Sequence, residues 1–464
     1  MINSVALESA MRALRANQLA MAVTGHNIAN VHSPGYSRQR VKLQASEPLA
    51  HPSLLGGFLT GQIGTGVDAV VVDRVRDQFV ERQLIQTNYD LQKHQMLAAT
   101  LEQIESIFNE PSAESLSDAF AAFFVGLQEL SVNPEAAATR SVVIEEGNRI
   151  AGIFRMSAAR LIQLRRDLNA ELDKRVIQLN SQLHQIGNLN GDVSVVSARG
   201  DTPNDLLDRR DALIRSVSDL IDVTVVEDKF GAASVFVGGE LLVQGNFSRQ
   251  LQAIPVAENH NLSNVVFADT GQSVPISSGK FRALLDAQDS IVPRRQSLLD
   301  DMASTLISSV NRQHNAGLGL DGSTSLDFFT GSGAADIQVN AAIIAAPVKI
   351  AASASGAEGD GANAIALADL QRAQLLSSGQ STFEGFYQSL IAELGVESYS
   401  EQQMEETFSK TLQTLQDQRD SVSAVNLDEE MVNIIRFQQG FAAAAKMIQE
   451  LDRMTEEILG LVGG

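Results

Sequence analysis

Proline is confined to the middle of this 464-residue chain. All ten prolines lie between Pro34 and Pro347, so the first 33 residues and the last 117 contain none. A proline removes a backbone donor and clashes with the preceding turn, and it therefore breaks the interior of a helix. The distribution predicts two long helical ends around a body of mixed structure.

Both proline-free ends also carry the hydrophobic period of an α-helix, with apolar side chains every three or four residues. The N-terminal stripe contains Leu7, Met11, Leu14, Met21 and Ile28. The C-terminal stripe contains Leu427, Ile434, Phe437, Phe441, Ile448, Leu451 and Ile458. Such a stripe is typical of an amphipathic helix on a globular core and also of a coiled-coil seam. Because it occurs at both ends, and because the N-terminal end is basic and the C-terminal end acidic, we favour pairing of the two ends.

Three more helices are predicted inside the ends. One stripe covers 116–130 and stops near Pro134, and a long one runs over 150–186. A third covers 404–425, after which the hydrophobic phase jumps by two positions at Leu427. The jump predicts a joint between two helices at Ser423–Asn426.

The middle of the chain has a mixed pattern. Gly200 closes the long helical region, and Thr202 followed by Pro203 predicts a helix with threonine as its N-cap. Beyond it, glycine-separated runs predict strands, a helix and one more strand, at 223–226, 234–237, 241–243, 298–310 and 337–340. The fold class we expect is therefore α+β and mainly α. The terminal helices pair in an elongated coiled-coil or helical-bundle domain, and a β-containing outer domain is inserted between them.

Composition excludes several function classes. The net charge of −21 argues against a binder of duplex nucleic acid or of an anionic membrane surface, since both need basic patches. With no cysteine, the chain has no disulfide, thiol catalyst or zinc finger. Charged residues interrupt the apolar stretch at 1–23, so we expect neither a signal peptide nor a membrane span. These features suit a soluble cytoplasmic protein and equally one exported without a cleaved signal.

Motifs for catalysis are weak. Gly317–Gly322 matches G-x-G-x-x-G, but a helix precedes it and a Ser/Gly-rich loop follows, which favours a glycine loop that ends a helix. The densest charge cluster consists of Asp205, Asp208, Arg209, Arg210 and Asp211. Carboxylate pairs serve acid–base chemistry, yet on an amphipathic helix these charges are expected to form a solvated face with its ion pairs. We expect no enzyme activity, no cofactor and no metal site.

The most specific motif follows the N-terminal helix. Residues 27–39 read Asn-Ile-Ala-Asn-Val-His-Ser-Pro-Gly-Tyr-Ser-Arg-Gln. Asn30 is placed to cap the helix, Pro34 prevents its continuation, and Gly35 is free to adopt a positive φ. The motif predicts an amphipathic helix, a rigid turn and an extended basic segment. Its candidate functional residues are Asn27, Asn30, Pro34, Gly35, Tyr36 and Arg38.

This loop resembles the N-terminal motif of the bacterial flagellar axial proteins, the rod, hook and hook-associated proteins. The continuation Tyr36–Gln39 is similar to the hook-associated protein 1 family of the hook–filament junction. Other segments agree in order along the chain, namely Leu130–Pro134 with Arg140, Asn204–Asp211, Asn311 with His314, and Ser421–Glu430 before Gln438. One departure is Ala424, where the family pattern usually has glycine.

The resemblance implies a non-enzymatic structural subunit that adapts hook to filament. In the family, the terminal segments are disordered in the monomer and pair as helices of an inner tube on assembly. The resemblance thus implies a terminal assembly domain from 1–45 with 420–464, an elongated helical domain from 46–200 with 365–419, and an outer domain from 201–364.

The implied partners are copies of the chain in a ring or helical layer, the hook protein and the next junction protein. A cytoplasmic export chaperone would cover the C-terminal stripe, and the flagellar type III apparatus would export the chain to the extracellular hook–filament junction. No nucleic acid or membrane is expected as a partner. Two alternatives stay open. One is a rod or hook subunit, which Tyr36–Gln39 and Asn204–Asp211 disfavour, and the other is a wall hydrolase on an axial-protein scaffold.

Overall fold

The computed structural model of the protein describes residues 2–50, 62–108 and 115–462. Two compact units are formed from separate stretches of the chain. Unit 1 comprises Met1–Tyr89, Gln178–Gln250 and Ser409–Gly464, and unit 2 comprises Asp90–Ile177 and Leu251–Phe408. The three-part division proposed from the sequence stays a prediction.

Most of the described chain is helical, as expected for the α+β, mainly α class. The helices are α1 (Ile2–Ala29), α2 (Gln78–Phe108), α3 (Leu116–Val132), α4 (Ala137–Ala198), α5 (Asn204–Ser218), α6 (Gly279–Asp286), α7 (Val292–His314), α8 (Ala341–Ala345), α9 (Ala362–Ala368), α10 (Phe383–Ser423) and α11 (Leu427–Val462). None of these helices has the length and apolar character needed to cross a membrane, over the residues that are described.

The strands of the described ranges are short, and each of their pairings is antiparallel. They are β1 (Gln39–Ala45), β2 (Leu49–Ala50), β3 (Gln62–Ile63), β4 (Val67–Arg74), β5 (Thr224–Glu227), β6 (Ala233–Val237), β7 (Glu240–Gln244), β8 (Phe247–Ser248), β9 (Leu251–Val256), β10 (Leu262–Phe267), β11 (Phe329–Thr330) and β12 (Gln338–Val339). Strands β5 to β8 form a four-stranded meander, and the others form the ribbons β1–β4, β2–β3, β9–β10 and β11–β12.

Several predicted elements are confirmed. Helices α3 and α7 and strands β5 to β7 lie where the sequence placed them, and α10 and α11 meet at the predicted joint. The long stripe of α4 is buried along its whole length. Its members are Ile150, Phe154, Ser157, Leu161, Leu164, Leu168, Leu172, Val176, Leu179, Leu183 and Ile186.

The predicted cap of α5 is wrong. The helix begins at Asn204 rather than Pro203, and no side chain caps it. The Thr202 carbonyl accepts the backbone N–H of Asn204 at 3.0 Å, while the Asn204 side chain donates to the carbonyl of Val72 at 2.8 Å. The first turn is thus held by contacts with β4 instead of a local cap.

The two terminal helices pair, as predicted, and they run antiparallel in unit 1. The Asn27 amide near the end of α1 contacts Glu430 at the start of α11. Asn17 lies ten residues before Asn27 on α1, and Gly440 lies ten residues after Glu430 on α11. These two residues are also in contact, since a Cβ on Gly440 would stand 2.6 Å from the Asn17 Oδ1. A side chain at 440 would therefore have to displace the Asn17 side chain.

His314 at the end of α7 is buried and fully bonded as a neutral imidazole in unit 2. Its Nδ1 lies 2.6 Å from the Leu326 carbonyl, and its Nε2 accepts the Ala351 N–H at 2.9 Å. Burial lowers the pKa of His314, and the neighbouring charge of Arg140 acts in the same direction. A proton on Nε2 would break the bond from Ala351.

We expect unit 2 to lose stability as the pH falls below about 6.5, the ordinary histidine pKa. Since the folded state holds this pKa low, the unfolded chain takes up a proton that the folded chain refuses. The check is urea unfolding of the native chain and of His314→Gln at pH 7.5 and 5.5. The stability gap between them should narrow at the lower pH, and a gap that widens contradicts the assignment.

Candidate functional site

The candidate site is the loop between α1 and β1 in unit 1. It is the segment singled out by the sequence, and three other parts of unit 1 surround it. These are the start of α11, the α10–α11 joint and the first turns of α5.

The loop has the predicted turn. Tyr36 N–H donates to the Ser33 carbonyl at 3.2 Å, with Pro34 and Gly35 as the central residues. Gly35 has φ +79°, the left-handed value that the third residue of a type II turn needs and that glycine adopts without strain. Asn30 caps α1, since its Nδ2 donates to the His26 carbonyl at 3.0 Å. The turn, the positive φ of Gly35 and the cap by Asn30 all lie where the sequence predicts them.

Asn27 is the centre of the site. It is 1% exposed. Its side chain forms two hydrogen bonds with the backbone of one residue of β1, as a neighbouring strand would. Its Nδ2 donates to the Gln39 carbonyl and its Oδ1 accepts the Gln39 N–H, each at 2.9 Å. The Oδ1 also accepts the Tyr36 hydroxyl at 2.8 Å, and the Nδ2 lies 3.3 Å from Glu430 Oε2. One amide therefore fixes helix, turn and strand together.

Tyr36 must stay protonated for this arrangement, and its surroundings ensure that it does. Burial raises the pKa of Tyr36, and the nearby charges of Asp205, Asp208 and Glu430 raise it further. The ring also packs edge-on against His26, with 5.5 Å between ring centroids. The hydroxyl is therefore a permanent donor to Asn27 at physiological pH.

Arg38 connects the loop to the α10–α11 joint. Its backbone N–H donates to the Ser423 carbonyl at 2.9 Å. Its guanidinium donates to Glu430 at 2.7 Å and to Glu429 at 2.8 Å. Glu430 is 2% exposed, so this buried carboxylate depends on Arg38 for its counter-charge. We call Asn27, Tyr36, Arg38 and Glu430 the clasp.

The acidic side of α5 contacts the loop. The prediction that this side of the helix is solvated is wrong for three of its residues. Asp208, Arg210 and Asp211 are buried, whereas Asp205 and Arg209 are exposed as predicted. The Asp208 carboxylate accepts the Ser37 N–H at 3.0 Å and an Arg74 N–H at 2.8 Å. The loop and strand β4 cover these charges, which a helical pattern alone does not show.

Asp211 is the most heavily compensated acid of that cluster. It accepts hydrogen bonds from Arg74 at 2.7 Å, from Arg210 at 2.8 Å and from Arg76. Burial alone would raise the pKa of Asp211, but the charges of Arg210, Arg76 and Arg74 outweigh it and lower the pKa. The cluster is a structural ion network beneath the loop.

The pair of hydrogen bonds between the Asn27 amide and the backbone of one residue recurs at two other asparagines, and the sequence did not predict it. Asn190 on α4 exchanges the same two bonds with Ala233, at 2.7 and 2.9 Å. Asn311 on α7 exchanges them with Phe329, at 2.8 and 2.9 Å. In each case a helix side chain replaces a missing strand neighbour. A detectable signal is an asparagine within the buried stripe of a helix, since an unpaired amide is costly there.

The predicted stripes occupy different depths. On α11 the least exposed positions follow the predicted stripe, with Glu430 and Ala444 the deepest. Its apolar members Ile434, Phe437, Phe441, Ile448 and Leu451 are half-buried, and Leu427 and Ile458 are exposed. On α1 the deepest positions are small or polar, namely Ala10, Ala16, Ala20, Thr24 and Asn27. The predicted α1 stripe lies mostly one position later and is half-buried at Leu7, Leu14, Met21 and Ile28 and exposed at Met11.

Asn27→Ala is expected to lower the free energy of unfolding of unit 1 by about 2–4 kcal/mol. The substitution leaves the backbone groups of Gln39 and the carboxylate of Glu430 buried without the hydrogen bonds that Asn27 forms with them. Asn30→Ala is the matched control, since Asn30 is less buried and bonds only near its own helix end. It should cost about 1 kcal/mol. Both losses are measured on assembled copies, in which the terminal helices are folded, as the urea concentration that dissociates them, and equal losses would remove Asn27 from the centre of the site.

Over the described ranges, no three histidine, aspartate or glutamate side chains are grouped so as to hold a metal ion. What the arrangement does is mechanical, because it joins α1, α5, β1 and the start of α11 at one point.

Three family models match separate parts of the chain. Residues 7–36 match the model described as flagella basal body rod protein. Residues 101–329 match the helical domain of the flagellar hook-associated protein FlgK, and residues 416–461 match the C-terminal region of the basal body rod FlgEFG proteins.

Curated relatives match over nearly the whole length. A flagellar hook-associated protein 1 of Bacillus subtilis is 32% identical, with 98% of each chain covered. That of Salmonella typhimurium is 25% identical over 98% of this chain and 99% of its own. The solved structure of the flagellar hook junction protein FlgK from Burkholderia pseudomallei has a TM-score of 0.67 at 16% identity. It covers 74% of this chain and 100% of its own.

Proposed function

The chain belongs to the flagellar hook-associated protein 1 family, and from that premise we propose that it forms the hook–filament junction of a bacterial flagellum as a structural subunit. The observation that supports this most is the clasp, which ties the two terminal helices of the chain to the α10–α11 joint. It uses the residues Asn27, Tyr36 and Arg38 that make the loop resemble axial proteins.

The terminal pair is suited to assembly between copies. Helix α11 exposes large apolar side chains on the side away from its seam, among them Met431, Val432 and Ile435. The predicted α1 stripe is also only half-covered in one copy. Neighbouring copies in a ring or helical layer would bury both surfaces, and the burial would offset the entropy of ordering the ends. Such surfaces support disordered ends in the free chain that fold on assembly.

Export and partner contacts complete the proposal. Before export, a cytoplasmic chaperone covers the C-terminal stripe from Leu427 to Ile458, and the flagellar type III apparatus carries the chain to the extracellular junction. There it contacts the hook protein below and the next junction protein above. The chain works by adapting two different lattices, without catalysis.

The gene deletion tests this function. Cells that lack the chain are expected to build hooks but no filaments, and the filament subunit should appear in the medium. Restoring the native chain should restore filaments, whereas Asn27→Ala should restore fewer. Normal filaments in the deletion strain would refute the role.

Limited proteolysis tests folding on assembly. In the purified chain, residues 1–40 and 425–464 should be cut before the rest, because isolated helices gain too little burial to persist. In isolated flagella the same segments should resist cleavage. Equal resistance in both samples would show that the ends are ordered before assembly.

A further inference from the structure

Unit 2 contains a cavity of about 360 Å³ between α4, α7 and the β9–β10 hairpin. Part of its wall is apolar and part is charged. The apolar part includes Ile162 and Leu262, and the charged part is formed by Arg165, Arg166, His260 and Asp300. A cavity of this size and composition is suited to a small organic molecule that carries both apolar and charged groups.

Arg165 brings a guanidinium to this cavity without a carboxylate partner. Its Nε donates to the Gln288 carbonyl at 3.0 Å, its Nη2 to Asn259 Oδ1 at 3.1 Å and its Nη1 to Gln296 Oε1 at 3.4 Å. These acceptors are neutral, and Arg165 forms no ion pair with a described residue. Burial lowers the pKa of Arg165, and the charge of Asp289 opposes this only in part. Three of the five guanidinium donors are used, so two remain for an anion.

The tip of the β9–β10 hairpin is held beside Arg165 in an unusual conformation. His260 and Asn261 have φ of +54° and +61°, left-handed values that are uncommon for residues other than glycine. Asn259 fixes the tip, because its Nδ2 donates to Asp289 Oδ1 at 2.7 Å while its Oδ1 accepts a hydrogen bond from Arg165. The His260 side chain is thereby kept at the cavity. Backbone strain of this kind persists where the surrounding contacts impose it, and it is concentrated at binding sites.

Asp300 is an exposed acid of α7 with one oxygen available to a ligand. Its Oδ1 accepts the Ala334 N–H at 2.8 Å, and its Oδ2 accepts no hydrogen bond from the described residues. Three residues after Ala334, the Ile337 carbonyl accepts a hydrogen bond from Arg155. Arg155 lies about 15 Å before Arg165 along α4, so the segment bound to Asp300 lies toward the start of that helix.

The charges of the cavity are therefore separated by sign. Arg165 contacts Gln296, and Asp300 lies one turn further along α7, about 6 Å away along the helix axis. Arg166 follows Arg165, is exposed and forms no ion pair with a described residue. Cations thus line one end of the cavity and a carboxylate lines the other. A free amino acid in its zwitterionic form carries the complementary pair of charges.

We propose that this cavity of unit 2 binds a free α-amino acid with an apolar side chain. The carboxylate of the ligand accepts hydrogen bonds from Arg165 and Arg166, and its ammonium group donates to Asp300. The ligand side chain packs against Ile162 and Leu262. The inference goes beyond the proposed function, because a subunit that joins hook and filament needs no small ligand to do so.

Calorimetric titration of the purified full chain with L-leucine and two analogues tests this assignment. Isocaproate lacks the ammonium group of leucine and isoamylamine lacks its carboxylate, while both keep the apolar body. Leucine should bind at least about tenfold more tightly than either analogue, because each analogue leaves one end of the cavity without its counter-charge. Leucine that does not bind, or binds no more tightly than the analogues, would overturn the proposal.

Single substitutions assign the two ends of the cavity. Asp300→Asn keeps the oxygen that accepts the Ala334 N–H, so it should weaken leucine binding about tenfold without weakening isocaproate. Arg166→Gln should weaken leucine and isocaproate about fivefold without weakening isoamylamine. Asp301→Asn and Arg160→Gln are the matched controls, since both residues are exposed on the same helices outside the cavity, and they should bind leucine as the native chain does. Equal losses in Asp300→Asn and Asp301→Asn would refute the site.

Discussion

Asp211→Ala should lower the free energy of unfolding of unit 1 by about 3–5 kcal/mol, which is among the largest single-residue effects we expect. The substitution removes the carboxylate shared by Arg74, Arg76 and Arg210. Arg210 is fully buried, so its charge would be left with Glu227 as its one remaining counter-ion among the described residues. Urea unfolding followed by circular dichroism gives the loss.

Asp205→Asn is the control for this prediction, because Asp205 lies on the same helix but is exposed. It should change stability by less than about 1 kcal/mol. The contribution of Asp211 also has a defined pH dependence. Its folded pKa lies below the ordinary value, so its stabilisation is present above about pH 4 and is lost as the pH falls below it. A loss of the same size in both variants would contradict the ion network.

Arg140→Met should destabilise unit 2 by about 3–4 kcal/mol. Arg140 is 2% exposed and is held by backbone carbonyls rather than by acids. Its Nε donates to the Pro134 carbonyl at 2.8 Å, and its Nη1 donates to the Ile350 carbonyl at 2.8 Å. The guanidinium therefore joins the turn between α3 and α4 to a segment more than 200 residues away, and methionine leaves those carbonyls without their donor.

Two comparisons make the Arg140 prediction specific. Arg140→Lys keeps the charge but lacks the fork of donors, so it should recover only part of the loss. Arg149→Met on the same helix removes a partly exposed ion pair with Asp118 and should cost less than about 1 kcal/mol. Amide hydrogen exchange near Pro134 and Ile350 should rise in Arg140→Met and stay unchanged in Arg149→Met. Unchanged exchange at both places would refute the role.

Local patterns predicted much of the fold. The stripe from Ile150 to Ile186 identified α4 because a long helix repeats its burial every three or four residues. The jump before Leu427 identified the joint because two helices that meet at an angle do not share one phase. The hairpin of β9 and β10 was missed, and so was α2, whose apolar positions do not form a single stripe strong enough to stand out.

For the candidate site, the sequence predicted the turn but not the tertiary contacts around it. Pro34 and Gly35 specify a turn by their own backbone preferences, so the turn followed from the sequence. The partners of Asn27 and Asp208 did not, because their meeting depends on the tertiary fold. Asp208 appeared solvated for the same reason, since its helix says nothing about the loop that covers it. The pattern on α1 was displaced because alanines, which attract little notice in a hydrophobic stripe, allow the closest approach of the helices.

The bond between Asn27 and Glu430 spans 403 residues of chain. Closing a loop of that length costs about 5 kcal/mol of chain entropy, which the other contacts of unit 1 have to offset. The clasp is unavailable to any chain whose synthesis stops before residue 430. In this sense it acts as a completeness check, since a truncated product keeps Arg38 without its buried partner and the loop without its anchor on α11.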